Sequence, residues 1–227
     1  MSGDCAVKKP PRPFSGSRGM YSRGHGYTVL AKGSGMVPNL KDSKTEKNVL
    51  TAFAGESQAR NRYTYFAEVA REEGYMQIAA IFEETSEHER AHARRLFDLL
   101  EGGDVEIEAA FPAGVVGTTA ENLLAAAEGE RYENQEMYPE FAAIAREEGF
   151  ASVAAIFESI AVSEVGHEQR YLDLLDNLEK DRVFEKPEET TWRCRNCGYT
   201  HTGRAAPRVC AACTYPRAYF EVKAKNW

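Results

Sequence analysis

The sequence predicts an all-α bundle of four helices with one long crossover, followed by a small metal-bound β domain. Three observations predict it. The stretch Glu89-Arg90-Ala91-His92 returns 75 residues later as Glu164-Val165-Gly166-His167, and residues 71–75 and 79–83 return as 146–150 and 154–158. One duplication of this length reads as two helical hairpins, because a solenoid needs three or more units. Apolar residues recur at alternating steps of four and three through both copies, which is the helix period. Finally, four of the five cysteines form two Cys-x-x-Cys pairs, Cys194/Cys197 and Cys210/Cys213.

A chain of 227 residues allows one or two domains with a core of useful size. It has no run of about 18 apolar residues, so no membrane span is expected. The net charge of −7 is uneven: residues 1–41 hold seven Lys or Arg against Asp4, which leaves the remainder at −13. That balance argues against nucleic acid as a partner of the folded part. Two paired cysteine motifs and one isolated thiol, Cys5, indicate a metal in a reducing compartment, here the cytoplasm, and not a disulfide scaffold.

Residues 1–40, rich in Gly, Ser, Pro and basic side chains, read as a disordered basic tail. Their Arg and Ser content also faintly resembles an organelle transit peptide, and Met20 or Met36 could equally begin a sensible protein. The bundle is expected over 41–182. Ser43-Lys44-Thr45-Glu46 is a capping-box pattern that opens the first helix, which ends before Gly74. The second helix should run from Met76 to Glu101 and stop at Gly102-Gly103. A connection over 103–117 is long enough to cross the bundle. Thr118-Thr119-Ala120-Glu121 opens a third helix ending near Gly149, and a fourth runs from Phe150 to Lys180. A polar linker over 181–191 leads to the cysteine domain, expected over 190–227 with Trp192, Tyr199, Tyr219 and Phe220 as its core.

The inward stripe of the second helix reads Ile78, Phe82, Thr85, Glu89, His92, Leu96, and that of the fourth reads Val153, Phe157, Ile160, Glu164, His167, Tyr171. Glu56 and Glu130 fall on the corresponding stripes of the first and third helices. A carboxylate is costly in a core unless a cation accompanies it. Tyr63 and Tyr138 lie along the same stripes and could hydrogen-bond those carboxylates, with ordinary core packing as the competing reading. Glu130 lies 74 residues from Glu56 whereas Tyr138 lies 75 from Tyr63, so one extra residue sits in the second copy beside Pro139. A π-bulge there would turn Glu133 inward.

One Glu from each of two helices and Glu-x-x-His from each of the other two is the known pattern of di-iron carboxylate bundles, a template recognised and not deduced. Mixed oxygen and imidazole ligands suit iron or manganese. His88-Glu89-Arg90-Ala91-His92 also spells the zinc protease signature. The repeat places Ser163 where His88 should recur, which speaks against it. The four cysteines supply a tetrahedral thiolate site for iron or zinc.

Residues 41–227 resemble the rubrerythrin family. The resemblance is carried by Thr51-Ala52-Phe53-Ala54-Gly55-Glu56-Ser57-Gln58-Ala59-Arg60, both Glu-x-x-His elements, Glu130-x-x-Glu133 and Trp192-x-Cys-x-x-Cys-Gly-Tyr199. It implies a ferritin-like bundle holding two non-haem irons, bridged by carboxylate and oxo groups, on Glu56, Glu89, His92, Glu130, Glu133, Glu164 and His167. It also implies a rubredoxin-like Fe(Cys)4 domain, zinc being the alternative there. The implied activity is a peroxidase reducing hydrogen peroxide to water, with a redox protein or reductase as electron donor. In the family one iron shifts between a carboxylate and a histidine, and the matching positions are Glu133 and His92. Ala211 and Thr214 depart from the Pro and Gly usual after the third and fourth cysteines. The five carboxylates carry −5, so two ferrous ions, or two ferric ions with one oxo bridge, both leave −1, which spares a buried site a change of charge.

The fourth helix runs about 20 Å from His167 to Lys180, which favours electron delivery from a neighbouring chain and hence a head-to-tail homodimer. Two other functions compete: a ferroxidase or iron-storage protein of ferritin type, and a zinc-ribbon interaction protein on a structural bundle.

Overall fold

The computed structural model describes residues 39–225. The expected tail lies outside the described residues except at its end, where Leu40 joins the core. Helices α1 (Lys44–Glu72) and α2 (Met76–Phe97) form the first hairpin. The second is α3 (Thr119–Tyr132), one π-helical turn (Glu133–Met137) and α4 (Tyr138–Glu147), a single rod that returns as α5 (Ala151–Glu179). Strands β1 (Glu185–Cys194), β2 (Thr200–Ala205) and β3 (Phe220–Val222) make an antiparallel sheet of order β2-β1-β3.

Both hairpin turns close in the same way. Gly74 and Gly149 adopt φ of +86° and +87°, a left-handed conformation that costs glycine little. The next residue then reaches back five positions, Tyr75 N–H to the Ala70 carbonyl and Phe150 N–H to the Ala145 carbonyl, each at 2.7 Å. Arg71 pairs with Glu83 across the first turn and Arg146 with Glu158 across the second.

The two hairpins also cap each other. The Glu148 carboxylate accepts from the Thr45 N–H (2.8 Å), the Thr45 hydroxyl (2.6 Å) and the Lys44 N–H (3.1 Å) at the start of α1. Glu73, its equivalent 75 residues earlier, accepts from the Thr119 N–H (3.2 Å) at the start of α3. These junctions give each helix start acceptors from the other hairpin.

Two expectations need correction. The second helix ends at Phe97, not Glu101. Its last turn tightens, with Leu99 N–H on the Leu96 carbonyl and Leu100 N–H on that of Phe97, so both leucines turn onto the core. The expected linker over 181–191 is largely strand β1, because Phe184 packs on the cysteine domain and Thr190 and Thr191 pair with β2.

Two apolar clusters fill the bundle. One contains Val49, Leu96, Tyr138 and Phe157, and the other Tyr63, Phe66, Phe82 and Tyr171. The polar stripe residues lie between these clusters in sequence register. The cysteine domain meets the bundle at the α1–α2 turn, where Tyr75 stacks on Phe184 at 6.1 Å and Gly74 faces Ala218.

Glu148→Ala removes acceptors from three donors and should cost about 1 kcal/mol, seen as a lower midpoint in urea denaturation. Glu73→Ala, with one donor, should cost less.

Candidate metal centre

Helical phase brings the stripe residues into one chamber. Glu56, Glu89 and Glu130 are each 1 % exposed and Glu164 is fully buried. His92 Nδ1 lies 3.0 Å from Glu164 Oε1, 3.1 Å from Glu89 Oε2 and 3.6 Å from Glu56 Oε2. His167 Nδ1 lies 2.6 Å from Glu164 Oε2, 3.2 Å from Glu89 Oε1 and 3.8 Å from Glu130 Oε2. Two overlapping donor sets result: Glu56, Glu89, His92 and Glu164, and Glu89, Glu130, Glu164 and His167, each with ligand atoms within 4.8 Å of one another. Glu89 and Glu164 belong to both sets, so they are placed to bridge a pair of ions, with one Glu and one His at either end.

The donor atoms fit such a pair. Glu56 Oε2, Glu89 Oε1, Glu130 Oε2, both Glu164 oxygens and His167 Nδ1 are buried with no hydrogen-bond partner. Groups of this kind are costly to bury unless something satisfies them. The opposite oxygens are already held: Tyr63 donates to Glu130 Oε1 at 2.5 Å, and Tyr138 donates to Glu56 Oε1. Each tyrosine therefore reaches across to the other hairpin, and each end carboxylate keeps one oxygen for a cation.

Glu133 belongs to neither tight set. The π-turn carries it to the other side of the chamber, where it lines a cavity beneath the crossover with Gly55, Gln58, Phe111 and Met137. Pro139 has no N–H to complete an α-helical bond, which favours the wider turn. Asn134 Nδ2 closes part of the gap by donating to the Glu130 carbonyl (2.8 Å) and the Glu168 carboxylate (2.9 Å). His92 faces the opposite way, onto a cavity between α2 and α5.

Electrostatics match a chamber built for cations. Burial, then repulsion from Glu89 and Glu164, raises Glu56 far above the usual carboxylate range against the opposing pull of the nearby His92. Burial and the neighbouring Glu56, Glu130 and Glu164 raise Glu133 likewise. Burial leads the same effect on Glu130, which is pushed up to about 8. Glu89 moves the other way: burial would raise it, but the imidazoles of His167 and His92 beside it hold it at about 2. For His167 burial works downward and is outweighed by Glu130, Glu164 and Glu89, which lift it to about 12, and His92 is raised by Glu164, Glu56 and Glu89 in the same manner.

The second centre is formed by two knuckles of matching geometry. Cys194 N–H donates to the Tyr199 carbonyl and Cys210 N–H to that of Tyr215, both at 2.8 Å. Cys194 Sγ lies 3.7 Å from Cys213 Sγ, as does Cys197 Sγ from Cys210 Sγ, and the four sulfurs form one ligand set. A hydrogen bond with Asn196, then the Tyr215 N–H, lowers Cys213 to about 6, toward the thiolate a metal requires. Trp192 and Phe220 are buried beneath the site, with Tyr199 and Tyr219 partly so.

The family model described as Rubrerythrin matches residues 47–175, and that described as its rubredoxin-like domain matches residues 192–221. The chain belongs to the rubrerythrin family. It is 58 % identical over 189 residues to the rubrerythrin of Nitratidesulfovibrio vulgaris, covering 83 % of this chain and 99 % of that protein. The rubrerythrin of Porphyromonas gingivalis is 56 % identical over 198 residues, covering 87 % and 99 %. Among solved structures, mixed-valence nigerythrin aligns with a TM-score of 0.54 at 32 % identity over 81 % of this chain and 90 % of its own. The bacterioferritin BfrA of Mycobacterium tuberculosis shares the fold, with a TM-score of 0.53 at 22 % identity over 61 % of this chain and 88 % of its own. The ferritin-like bundle and the four-cysteine strand domain therefore agree with the rubrerythrin resemblance. Not legible in the sequence was the pairing of His88 with His167; its only trace there was the His-Glu-x-x-His spelling.

The titration shifts fix a pH response. Glu130, raised from 4.5 to about 8, keeps its proton in the folded chain while the unfolded chain loses it, so stability falls as pH rises across that window. His167, raised from 6.5 to about 12, contributes stability that is complete below 6.5 and declines above it. Glu89 acts oppositely, but only between about 2 and 4.5. The metal-free bundle should therefore melt at lower temperature at about pH 8 than at about pH 5. Metal restoration should stabilise it more at the higher pH, because its ligands bind deprotonated. Thermal melts followed by circular dichroism on chelator-treated and reloaded protein check both signs. In the rubredoxin-like domain, Thr214 takes φ +61° where glycine would be unstrained. Thr214→Gly should stabilise that domain by about 1 kcal/mol, measured as slower loss of the sulfur-bound metal in denaturant.

Proposed function

We propose that this oxidoreductase of the rubrerythrin family is a non-haem di-iron peroxidase that converts hydrogen peroxide, two electrons and two protons into two waters. The observation that carries the reading is the pair of overlapping donor sets sharing Glu89 and Glu164, fused in one chain to a four-cysteine centre. Iron bound there would supply the two electrons that cleave the O–O bond.

The chain's own residues set the conditions. Glu56 with His92, and Glu130 with His167, hold the two ends, and Glu89 and Glu164 span the middle. Tyr138 and Tyr63 fix the outer oxygens of Glu56 and Glu130, so those carboxylates keep their aim without a metal-bound water to steady them. Glu133 and His92 line two different cavities beside the chamber, which is compatible with their exchange as alternative ligands between oxidation states. The crossover, with Phe111 against Gly55, shields the Glu133 side from bulk water.

Electrons enter through Cys194, Cys197, Cys210 and Cys213, supplied by a redox protein or reductase. The chain's own cysteine domain sits at the α1–α2 turn, and Glu89 lies roughly 20 Å along α2 from that end. Delivery from the cysteine domain of a second, head-to-tail copy is the shorter route. Glu133 and the fused cysteine centre favour peroxide reduction over iron oxidation for storage, which needs neither.

Cys194→Ser with Cys197→Ser should lower steady peroxide turnover by tenfold or more while leaving a single oxidation of the chemically reduced di-iron centre intact. Stopped-flow measurement of both rates checks this, and unchanged turnover would sink the electron-entry role. Metal analysis of the unsubstituted protein should give about three irons per chain.

A further inference from the structure

His88 is the one histidine of α2 that the centre described above leaves unused. Its Nδ1 lies 3.1 Å from Nε2 of His167. The two rings are nearly parallel, at 14°, with centroids 5.3 Å apart. His167 meanwhile turns its other nitrogen, Nδ1, toward Glu164 and Glu89, and that nitrogen has no hydrogen-bond partner. An imidazole that offers Nδ1 to a metal carries its proton on Nε2, and a group accepting that proton fixes both tautomer and ring orientation. The acceptor here is His88 Nδ1.

The duplication fails at this point. Residue 75 beyond His88 is Ser163, whose side chain is too short to reproduce the contact. His92, the counterpart of His167, has its hydrogen bond within the described residues through Nδ1, to Glu89. Its ring, 16 % exposed, borders a cavity of about 410 Å³ that Ser163, Arg170, His88 and His167 also line. One imidazole of the centre is therefore anchored through its far nitrogen by a hydrogen-bonded neighbour, and the other has no such anchor among the described residues.

We propose that His88 is a positioning residue that anchors His167, making one half of the centre fixed, while Ser163 leaves His92 free to depart from the other half. This rests on the reading of the chamber as a di-iron site in which His92 and Glu133 exchange. It also gives a role to the first histidine of the His-Glu-x-x-His spelling, one residue off the ligand face. There it cannot join the shared donor sets but can support a ligand from the facing helix.

The test counts iron, not turnover. Protein loaded with ⁵⁷Fe and reduced with dithionite is held with a ferrous chelator, and the iron left in each site is followed by Mössbauer spectroscopy, which separates sulfur-bound iron from oxygen- and nitrogen-bound iron. His88→Ala should accelerate loss of one di-iron-site ion by roughly ten- to hundredfold and shift only that ion's quadrupole doublet. His88→Gln, which keeps an acceptor, should stay near the parent. Unchanged loss in His88→Ala, or equal acceleration of both ions, overturns the proposal. Should His88→Ala fail to fold, Ser163→His decides: a second anchor should slow loss of the His92-side ion, and no slowing overturns the proposal. Because no peroxide is used, this outcome is separable from the peroxidase reading: lost turnover with the anchoring pattern intact would count against that reading alone.

Discussion

Four carboxylates in the dry middle of a helical bundle set the terms for the rest of the structure. Glu56, Glu89, Glu130 and Glu164 are brought together by backbone geometry, and their inner oxygens have no partner. Like charges this close either take up protons or gather cations. Their mutual influence shows in the titration of the chamber: burial and neighbouring carboxylates raise Glu130, and the surrounding carboxylates raise His92 and His167 against their own burial. Stability and metal binding are thus two sides of one charge balance, which is why they respond to pH in opposite directions.

Duplication explains how so many acids can be buried at once. Each structural device that supports the chamber appears twice: the glycine turn, the arginine–glutamate clasp across it, the carboxylate cap on the other hairpin's first turn, and the tyrosine that reaches over to hold a glutamate. The last two cross between copies. Each helix start is capped partly by its own hairpin and partly by the other, and each end carboxylate is held only from the other, so the chamber is complete only when they dock. The symmetry breaks at two places, the π-turn that introduces Glu133 and the His88/Ser163 position, and both breaks fall on the chamber wall. A symmetric duplicate would treat two metal ions alike; the departures make one end differ from the other.

Much of this was legible in the sequence because helical phase alone decides it. The stripe containing Glu56, Glu89, Glu130 and Glu164 follows from a step of three and four residues, and the π-turn follows from a one-residue mismatch between the copies. What could not be read depends on contacts between elements. Glu73 and Glu148 look like solvated acids at helix ends, and only docking turns them into caps. Phe184 lies in a polar stretch whose strand character comes from pairing with β2 and from packing on the cysteine domain. The second helix stops four residues early because Leu99 and Leu100 gain more from the core than from another helical turn, a tertiary preference that local propensity does not contain.

The two metal centres stand in opposite relation to the parts that hold them. The bundle has two apolar clusters of its own, so its helices can pack while the acids between them remain a liability that metal relieves. Among the described residues, the apolar core of the cysteine domain consists of the buried side chains Trp192, Cys194, Ala206, Cys210 and Phe220. A unit of that size rarely folds on apolar burial alone, and two of those five residues are the sulfur donors themselves. There the metal is part of the core, and the knuckles have no reason to face each other without it. Docking at the α1–α2 turn, through Tyr75 on Phe184, adds apolar contact that the small domain lacks. The bundle therefore lends support to the cysteine domain at one end and keeps its own chamber at mid-helix, a separation that a single chain cannot shorten and that a second copy can.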